Sequence, residues 1–299
     1  MFSIIVCTYN RDKYIYQALS CLAKNDFLPE NYEIVLINNN STDNTEQECQ
    51  RFYADYPAVN FRYFIEQEQG LSHARNRGIK EATNEVLIFL DDDAFVSEHY
   101  LKNLAKHINE HPEIMAFGGK ITPLFESGEA PAWLSKWSYS FVSAVDRGNN
   151  ISEFTGKSFP VGANMGFYKK CIESTGCFNT LLGRKKKSLG AGEEKDLFYR
   201  FRKKGFQVFY LPDIEVQHII PESRTTYDYI KKLGNGVGVS EHRRCKQDGF
   251  STLLSRYFSE FIKWGATLVL WCFYAFQLKL PKGNILVLFR WNVTKGLFS

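Results

Sequence analysis

The chain has 299 residues, of which 44% are apolar and 23% charged, a composition that excludes a disordered or fibrous protein. Its net charge of +4 is too small to indicate a nucleic-acid partner, and we expect none. The charge is unevenly divided, because residues 223–299 carry 12 lysines and arginines against 4 acidic residues.

Short apolar runs alternate with helix-like segments through the first third of the chain. Four runs rich in Ile, Val, Leu and Phe predict buried strands. They cover residues 3–7, 34–37, 61–65 and 86–90. Apolar spacing predicts a helix after the first strand, another over about 71–82, and a third after Ser97, its expected N-cap. This alternation indicates βαβ units and a parallel sheet, whose ligands bind beyond the carboxyl ends of the strands.

The remaining elements are less regular. Residues 112–190 are rich in Gly, Ser and aromatic side chains, which predicts short strands and loops that complete the site. A helix is expected over about 193–204 with Gly205 as its C-cap, followed by strands at 207–211 and 215–218.

The cysteines and the first residues indicate a cellular compartment. The seven cysteines are odd in number and show no metal-binding spacing, which predicts reduced, mostly buried thiols. The chain enters a strand-like run at Ile4 without a basic segment before it, so no signal peptide is expected. Both observations are typical of a cytoplasmic protein.

Three adjacent carboxylates, Asp91, Asp92 and Asp93, follow the fourth predicted strand. Their charges repel one another, and a bound cation would offset that repulsion. Mg²⁺ or Mn²⁺ fits this pattern, because such ions are held by one or two carboxylates and by substrate phosphates. A helix-capping cluster on a solvated turn is the alternative. The triplet therefore predicts a metal site for a diphosphate ligand.

Other phosphate-binding enzymes match the sequence less well. There is no P-loop motif, and the glycines of residues 234–238 have the wrong spacing and lie too late for a dinucleotide site. A haloacid-dehalogenase-type phosphatase would need Thr or Val where this chain has Phe95.

Five segments of the chain occur together in one order. They are Ser3–Arg11, Asn38–Asp43, Gly70–Gly78, Phe89–Asp93 and Gly192–Leu197. This set resembles the family 2 glycosyltransferases of the GT-A fold, over roughly residues 1–222. The resemblance implies an α/β fold with a Rossmann-like, mostly parallel mixed sheet flanked by helices. It also implies a metal-dependent, inverting transfer of a sugar from a nucleoside diphosphate sugar to an acceptor hydroxyl.

The resemblance assigns several residues to the donor nucleotide. Thr8 and Asn10 would lie against the nucleoside, and Arg75 resembles an arginine that packs near the base and ribose. Asn38 stands where the family usually has an aspartate that accepts a hydrogen bond from uracil. An amide also donates, which leaves the identity of the base open. Asp92 would lie on the ribose side.

The resemblance also assigns the metal ligands. Asp93 would hold the metal, with Asp91 supporting the turn. His218 resembles a histidine that completes the metal site in some relatives, and a hydrogen-bonded structural histidine is the alternative.

A carboxylate is expected to act as the catalytic base, because accepting the proton of a hydroxyl accelerates such reactions by about 10²- to 10⁴-fold. By the resemblance, Glu194 occupies the base position, and Glu193 is the alternative. Asn164 would lie on the acceptor side. Arg184–Lys187 is either a solvated loop or a cation cluster for phosphates.

The basic end predicts a helical segment, 223–299, separate from a catalytic domain at 1–222. Residues 264–278 form a 15-residue apolar stretch that as a helix would be about 22 Å long, shorter than a bilayer core of about 30 Å. Its aromatic residues and flanking cations predict a helix lying on an anionic membrane surface, and packing on protein is the alternative. We therefore expect a peripheral protein on the inner face of the cell membrane, acting on a lipid-linked glycan in polysaccharide biosynthesis.

Two other functions fit parts of the sequence. A sugar nucleotidyltransferase shares the α/β plan but usually opens with a glycine-rich loop, and residues 7–12 contain no glycine. A non-catalytic subunit that binds nucleotide sugars would keep the site but not need Glu194.

Overall fold

The computed structural model describes residues 1–182, 192–247 and 249–299. Arg184–Lys187 lies outside these residues. Contacts between residues divide the chain into two compact units. The first contains Met1–Pro123, Ser143–Leu181 and Glu193–Ile219, and the second contains chiefly Leu124–Val142 and Ile220–Ser299.

The second unit differs in part from the predicted C-terminal segment. Its long segment begins at Ile220, near the predicted boundary after residue 222, but Leu124–Val142 joins it from the middle of the chain. Two contacts within this unit show why: the Trp133 indole donates to the Thr225 carbonyl at 3.0 Å, and the rings of Phe141 and Phe289 lie 4.2 Å apart. Local sequence patterns cannot reveal contacts between residues so far apart in the chain.

Nine strands form one sheet in the described part of the chain. The strands are β1 (Phe2–Thr8), β2 (Tyr32–Asn38), β3 (Phe61–Ile65), β4 (Val86–Asp91), β5 (Ala94–Val96), β6 (Ala116–Phe125), β7 (Ser152–Glu153), β8 (Asn164–Tyr168) and β9 (Val208–Ile220). Their order is β3-β2-β1-β4-β8-β6-β9-β5, with β7 beside β9. The pairs β3–β2, β2–β1 and β1–β4 are parallel, whereas β8 runs antiparallel to both β4 and β6. The sheet is therefore mixed, with its parallel part at the β1 side.

Helices cover both faces of this sheet. Those of the first unit are α1 (Asp12–Ala23), α2 (Thr45–Asp55), α3 (Leu71–Glu81), α4 (Tyr100–Glu110), α5 (Lys169–Thr175) and α6 (Glu193–Lys203). Side chains of α1, α2 and α4 pack in one buried cluster, and side chains of α3, α5 and α6 pack in another. Because β1, β2 and β4 are buried on both faces, their sequences are almost continuously apolar, as parallel strands require.

Two predicted details were wrong. Helix α4 begins at Tyr100 with His99 as its N-cap, and the Ser97 carbonyl, not its hydroxyl, accepts a bond from the Tyr100 amide. The strands predicted at 207–211 and 215–218 are one strand, β9. Pro212 signals a break locally, but β9 pairs with β7 before it and with β5 after it, so tertiary pairing keeps the strand continuous.

The second unit is built from helices α7 (Glu222–Thr225), α8 (Tyr227–Gln247), α9 (Phe250–Phe276) and α10 (Leu280–Leu297). The apolar stretch 264–278 falls almost wholly within α9. In the described residues, no helix combines the length and the apolar character that crossing a bilayer requires.

Candidate active site

Parallel strand pairing brings the predicted site residues to one edge of the sheet. Thr8 at the end of β1 pairs with Asn38 at the end of β2, and Cys7 pairs with Asp91 at the end of β4. The short strand β5 then turns back to β9, where Ala94 pairs with His218. Because of this pairing, His218 lies beside the aspartate triplet, although more than a hundred residues separate them in the chain.

Asp91, Asp93 and His218 form a cluster whose ligand atoms all lie within 4.8 Å of one another. The His218 Nε2 atom lies 3.0 Å from Asp93 Oδ1 and 3.9 Å from Asp91 Oδ2. Asp93 and His218 are each only 1% exposed. The structure thus brings the predicted ligands Asp93 and His218 together and adds Asp91, which the resemblance had given a supporting role.

The cluster has the donor set of a divalent-cation site. Within the described residues, neither buried ring nitrogen of His218 has a hydrogen-bond partner, and Nε2 approaches Asp93 outside hydrogen-bond geometry. A buried imidazole in that state is unfavourable unless something else satisfies it. Two carboxylates and one imidazole are ligands that bound divalent metals accept, so the residues present fit Mn²⁺ or Mg²⁺.

Arg11 lies beside the triplet, and the sequence analysis did not single it out. Its Nε is 3.3 Å from Asp92 Oδ1, and its Nη2 is 3.5 Å from Asp93 Oδ2. Burial raises the pKa of Asp92 to about 7; Arg11 opposes this rise and Asp93 adds to it. The sequence did contain a signal for Arg11, because it is the first cation after β1 and so lies near the sheet edge where the ligand is expected.

Arg75 connects the aspartate triplet to helix α6. Its Nη1 is 3.0 Å from Glu194 Oε1 and 3.4 Å from Glu193 Oε1, and its Nη2 is 4.0 Å from Asp91 Oδ1. The side chain is buried, with the guanidinium 5.3 Å from the centre of the Phe178 ring. The resemblance placed Arg75 near the base and ribose, but its contacts in the structure are with carboxylates. The reason is that α3 and α6 pack on the same face of the sheet.

Gly162 permits this arrangement. A Cβ atom at this position would overlap Arg75 Nη2 and would lie 2.6 Å from Glu194 Oε1. Glycine at this position lets the loop before β8 pass over the Arg75–Glu194 pair without displacing either side chain.

The two glutamates of α6 differ in accessibility. Both lie in the first turn of the helix, where the macrodipole favours negative charge. The Glu193 side chain is 3% exposed, whereas that of Glu194 is 17% exposed. Of the two carboxylates, Glu194 is therefore the one that a solvent-borne hydroxyl can reach.

The asparagines at the ends of β1 and β2 hold the surrounding loops together. Asn38 Nδ2 donates to the Tyr63 hydroxyl at 2.7 Å, and Asn38 Oδ1 accepts from the Ser41 amide at 2.8 Å. Asn10 has a left-handed backbone (φ 54°) and accepts from the Thr42 amide at 2.8 Å. The amide of Asn38 thus bonds to the chain itself through both its nitrogen and its oxygen.

Asn164, which the resemblance assigns to the acceptor side, is buried in the interior of the fold. Its Nδ2 donates to the carbonyls of Ile214 and Lys120 at 2.7 and 3.1 Å, and its Oδ1 accepts from the Tyr100 hydroxyl at 2.7 Å. It is fully buried. This amide therefore joins β8 to β6, β9 and α4.

The site carries excess negative charge in the described part of the chain. Its five carboxylates belong to Asp91, Asp92, Asp93, Glu193 and Glu194 and face two guanidinium groups, those of Arg11 and Arg75. A surplus of carboxylates at the end of a buried strand favours a bound cation.

Comparison with known proteins agrees with this geometry. Residues 3–175 match the model of the family described as Glycosyl transferase family 2. The chain belongs to this family. This family 2 glycosyltransferase is 24% identical over 235 residues to the glucosyl-dolichyl phosphate glucuronosyltransferase of Haloferax volcanii. The alignment covers 76% of this chain and 72% of that protein.

A second relative is the poly(ribitol-phosphate) beta-N-acetylglucosaminyltransferase TarS of Staphylococcus aureus. It is 36% identical over 110 residues, which is 37% of this chain but only 19% of TarS. Among solved structures, the mannosyltransferase PcManGT of Pyrobaculum calidifontis, in complex with GDP-Man and Mn²⁺, superposes with a TM-score of 0.64 at 17% identity. That likeness covers 99% of this chain and 87% of PcManGT, and it confirms the predicted GT-A fold.

Proposed function

We propose that this glycosyltransferase transfers one sugar from a nucleoside diphosphate sugar to a hydroxyl of a lipid-linked or polymeric surface glycan, with inversion of the anomeric carbon. The observation that carries the proposal is the pairing of two acidic groups through Arg75. One group, Asp91 and Asp93 with His218, suits a metal; the other, Glu193 and Glu194, offers a base.

The metal side of the site would receive the diphosphate. Asp93, His218 and Asp91 would hold Mn²⁺ or Mg²⁺, which when bound neutralises phosphate charge and stabilises the leaving group. Asp92 beside Arg11 would face the ribose, and Thr8 and Asn10, at or just beyond the end of β1, would border the nucleoside. PcManGT with GDP-Man and Mn²⁺ supports a nucleotide sugar and a metal for this fold.

The α6 side would activate the acceptor. Glu194 would accept the proton as the hydroxyl attacks the anomeric carbon from the face opposite the departing diphosphate. Arg75 orients the Glu194 carboxylate, and the more buried Glu193 supports Arg75. Because the Arg75 guanidinium contacts both Asp91 and Glu194, it would hold the catalytic base at a constant distance from the metal ligands.

The names of two relatives support the proposed acceptor. The H. volcanii protein is named for a dolichyl phosphate glycan and TarS for a poly(ribitol-phosphate). We propose by analogy an acceptor on a lipid carrier or wall polymer, and a working location at the cytoplasmic face of the membrane.

The proposal is tested by screening nucleotide sugars with Mn²⁺ for thermal stabilisation and then assaying product. We expect one donor to raise the unfolding temperature, since a ligand that binds the native state stabilises it. Turnover should release the nucleoside diphosphate. Glu194→Gln should reduce transfer by about 10²-fold or more while donor binding survives. The control Glu173→Gln changes an exposed carboxylate of α5 and should be neutral.

Two results would contradict the proposal. Release of pyrophosphate would indicate a sugar nucleotidyltransferase. Donor binding without turnover, together with normal cellular function of Glu194→Gln, would indicate a non-catalytic subunit.

A further inference from the structure

Helix α9 directs its polar side chains inward and its apolar side chains outward. Its buried residues are Arg256, Glu260, Thr267 and Tyr274. Trp271 is 36% exposed and lies on the same side of the helix as Thr267 and Tyr274. The other exposed apolar residues are Phe250, Leu254, Phe258, Phe261, Ile262, Leu268, Val269, Phe273 and Phe276. These recur every three or four positions and so lie on one face of the helix, which we call the outer face. Apolar patches of this extent mark interaction sites.

Buried ion pairs hold α9 in this orientation. Glu260 bonds to Arg256 at 2.7 Å and to Arg290 of α10 at 3.1 Å. The Trp264 indole donates to Thr294 of α10 at 2.9 Å. Rotating α9 to hide its phenylalanines would expose this network and leave buried charges unpaired, which is strongly unfavourable. The outer face is therefore a fixed feature of the second unit.

The charge around the outer face is positive. Residues 249–299 contain six lysines and arginines and one acidic residue, Glu260. Glu260 is buried and paired, whereas Lys279 and Lys295 are exposed. The surface that α9 and α10 offer thus combines exposed apolar side chains with exposed cations.

We propose that the outer face of α9 lies in the interfacial layer of a bilayer that contains anionic lipid. A helix with one strongly apolar face and nearby cations binds in the plane of such a surface, with its rings at the level of the acyl chain boundary. Two copies of this chain meeting through the same face would bring like charges together, so a lipid surface suits it better. The inference rests on the proposed peripheral location and identifies the outer face of α9 as the surface that binds the membrane.

The test is flotation of the full-length protein with vesicles of equal parts phosphatidylglycerol and phosphatidylcholine. The triple variant Phe258→Gln, Phe261→Gln, Phe276→Gln removes rings that are 67%, 77% and 92% exposed. We expect it to bind about a hundredfold more weakly or worse, because each buried ring contributes substantially to membrane affinity.

The control variant removes three apolar side chains of similar exposure in the first unit: Leu28→Gln, Tyr53→Gln and Leu181→Gln. It should float like the wild type. A second variant, Lys279→Gln with Lys295→Gln, should weaken binding to the anionic vesicles more than binding to pure phosphatidylcholine.

Unchanged flotation of the triple phenylalanine variant would overturn the inference. So would a wild-type dimer in sedimentation that this variant dissociates while vesicle binding persists, since the outer face would then be a contact between copies. Sugar transfer to a water-soluble acceptor is measured in parallel. If the wild-type protein floats with the vesicles but transfers no sugar to this acceptor, only the proposed function is refuted.

Discussion

Arg75 is shared by carboxylates from two regions of the fold. It contacts Asp91 at the end of β4 and both Glu193 and Glu194 on α6. In the proposed function, this buried arginine would set the distance between the metal ligands and the catalytic base. Its position in turn depends on Gly162, which leaves room for the guanidinium.

Gly162→Ala should therefore impair catalysis without unfolding the protein. The added methyl group would displace Arg75 and Glu194, and misplacing a reacting group by about 1 Å can reduce the rate about 10²-fold. We expect kcat to fall by about tenfold to a hundredfold, with the KM for donor changed less. Gly265→Ala adds a methyl group that meets no atom within 4 Å and should leave kcat unchanged. A wild-type kcat for Gly162→Ala would refute the role given to Arg75.

Glu33 makes the stability of the first unit depend on pH. The carboxylate is 1% exposed and accepts hydrogen bonds from Ser3 at 2.6 Å and from the Thr83 hydroxyl at 2.7 Å, with Arg62 at 2.9 Å. Burial raises the pKa of Glu33, but the hydrogen bonds from Ser3, Thr83 and Arg62 outweigh burial and hold it below its ordinary value.

The stabilisation from Glu33 is present above the unfolded-state pKa and is lost as the pH falls through the lower folded-state pKa. Glu33→Gln should reduce the free energy of unfolding at pH 7 by about 1–3 kcal/mol. The loss of stability on acidification should also become shallower. Urea unfolding from pH 7 to pH 3 measures both effects, with the exposed Glu30→Gln as control. If the free energy of unfolding falls equally steeply with pH in Glu33→Gln and in the wild type, Glu33 does not cause the pH dependence.

Helices α8 and α10 approach each other closely through glycines. A Cβ at Gly238 would overlap the Val293 carbonyl and lie 2.7 Å from the Leu297 amide, and a Cβ at Gly296 would overlap the Asn235 carbonyl. The glycine-rich run at 234–238, which has the wrong spacing for a cofactor loop, is thus a helix-packing surface.

Gly238→Ala should separate α8 from α10 and destabilise the second unit by about 1–3 kcal/mol, as overpacking does. The matched variant Gly265→Ala lies within α9 in open space and should stabilise that helix by up to about 1 kcal/mol. Thermal unfolding followed by circular dichroism compares the two. If both shift the midpoint in the same direction and by the same amount, the close approach does not limit stability.

At the scale of the whole molecule, the candidate site residues that the structure describes all belong to the first unit. A donor and metal at a hundred times their dissociation constants would stabilise the native state by about 2.7 kcal/mol. Hydrogen exchange with Mn²⁺ and donor should therefore slow in β1, β4 and α6 and stay unchanged in α8–α10. A chelator should reverse the protection, and Asp93→Asn should prevent it. Protection that persists with chelator would show that binding needs no metal.

Local patterns were sufficient for the elements around the site. The apolar runs predicted β1 to β4 because strands buried on both faces need continuous apolar sequence. The position of Asp91 to Asp93 after β4 predicted the sheet edge on which they lie. Local patterns failed at Pro212, where pairing with β5 and β7 overrides a break signal. They also could not reveal the contacts of Asn164, because its three side-chain partners are all distant in the chain.

The sequence by itself determined the α/β alternation, the acidic edge, the helix beginning at Glu193 and the basic, aromatic end, because each depends on neighbouring residues or on helical spacing. Only the tertiary structure decided that Arg75 bonds to Glu194, that His218 joins Asp93, and that α9 exposes its phenylalanines. These depend on strand register and on helix rotation, which buried ion pairs and close packing establish between residues far apart in the chain.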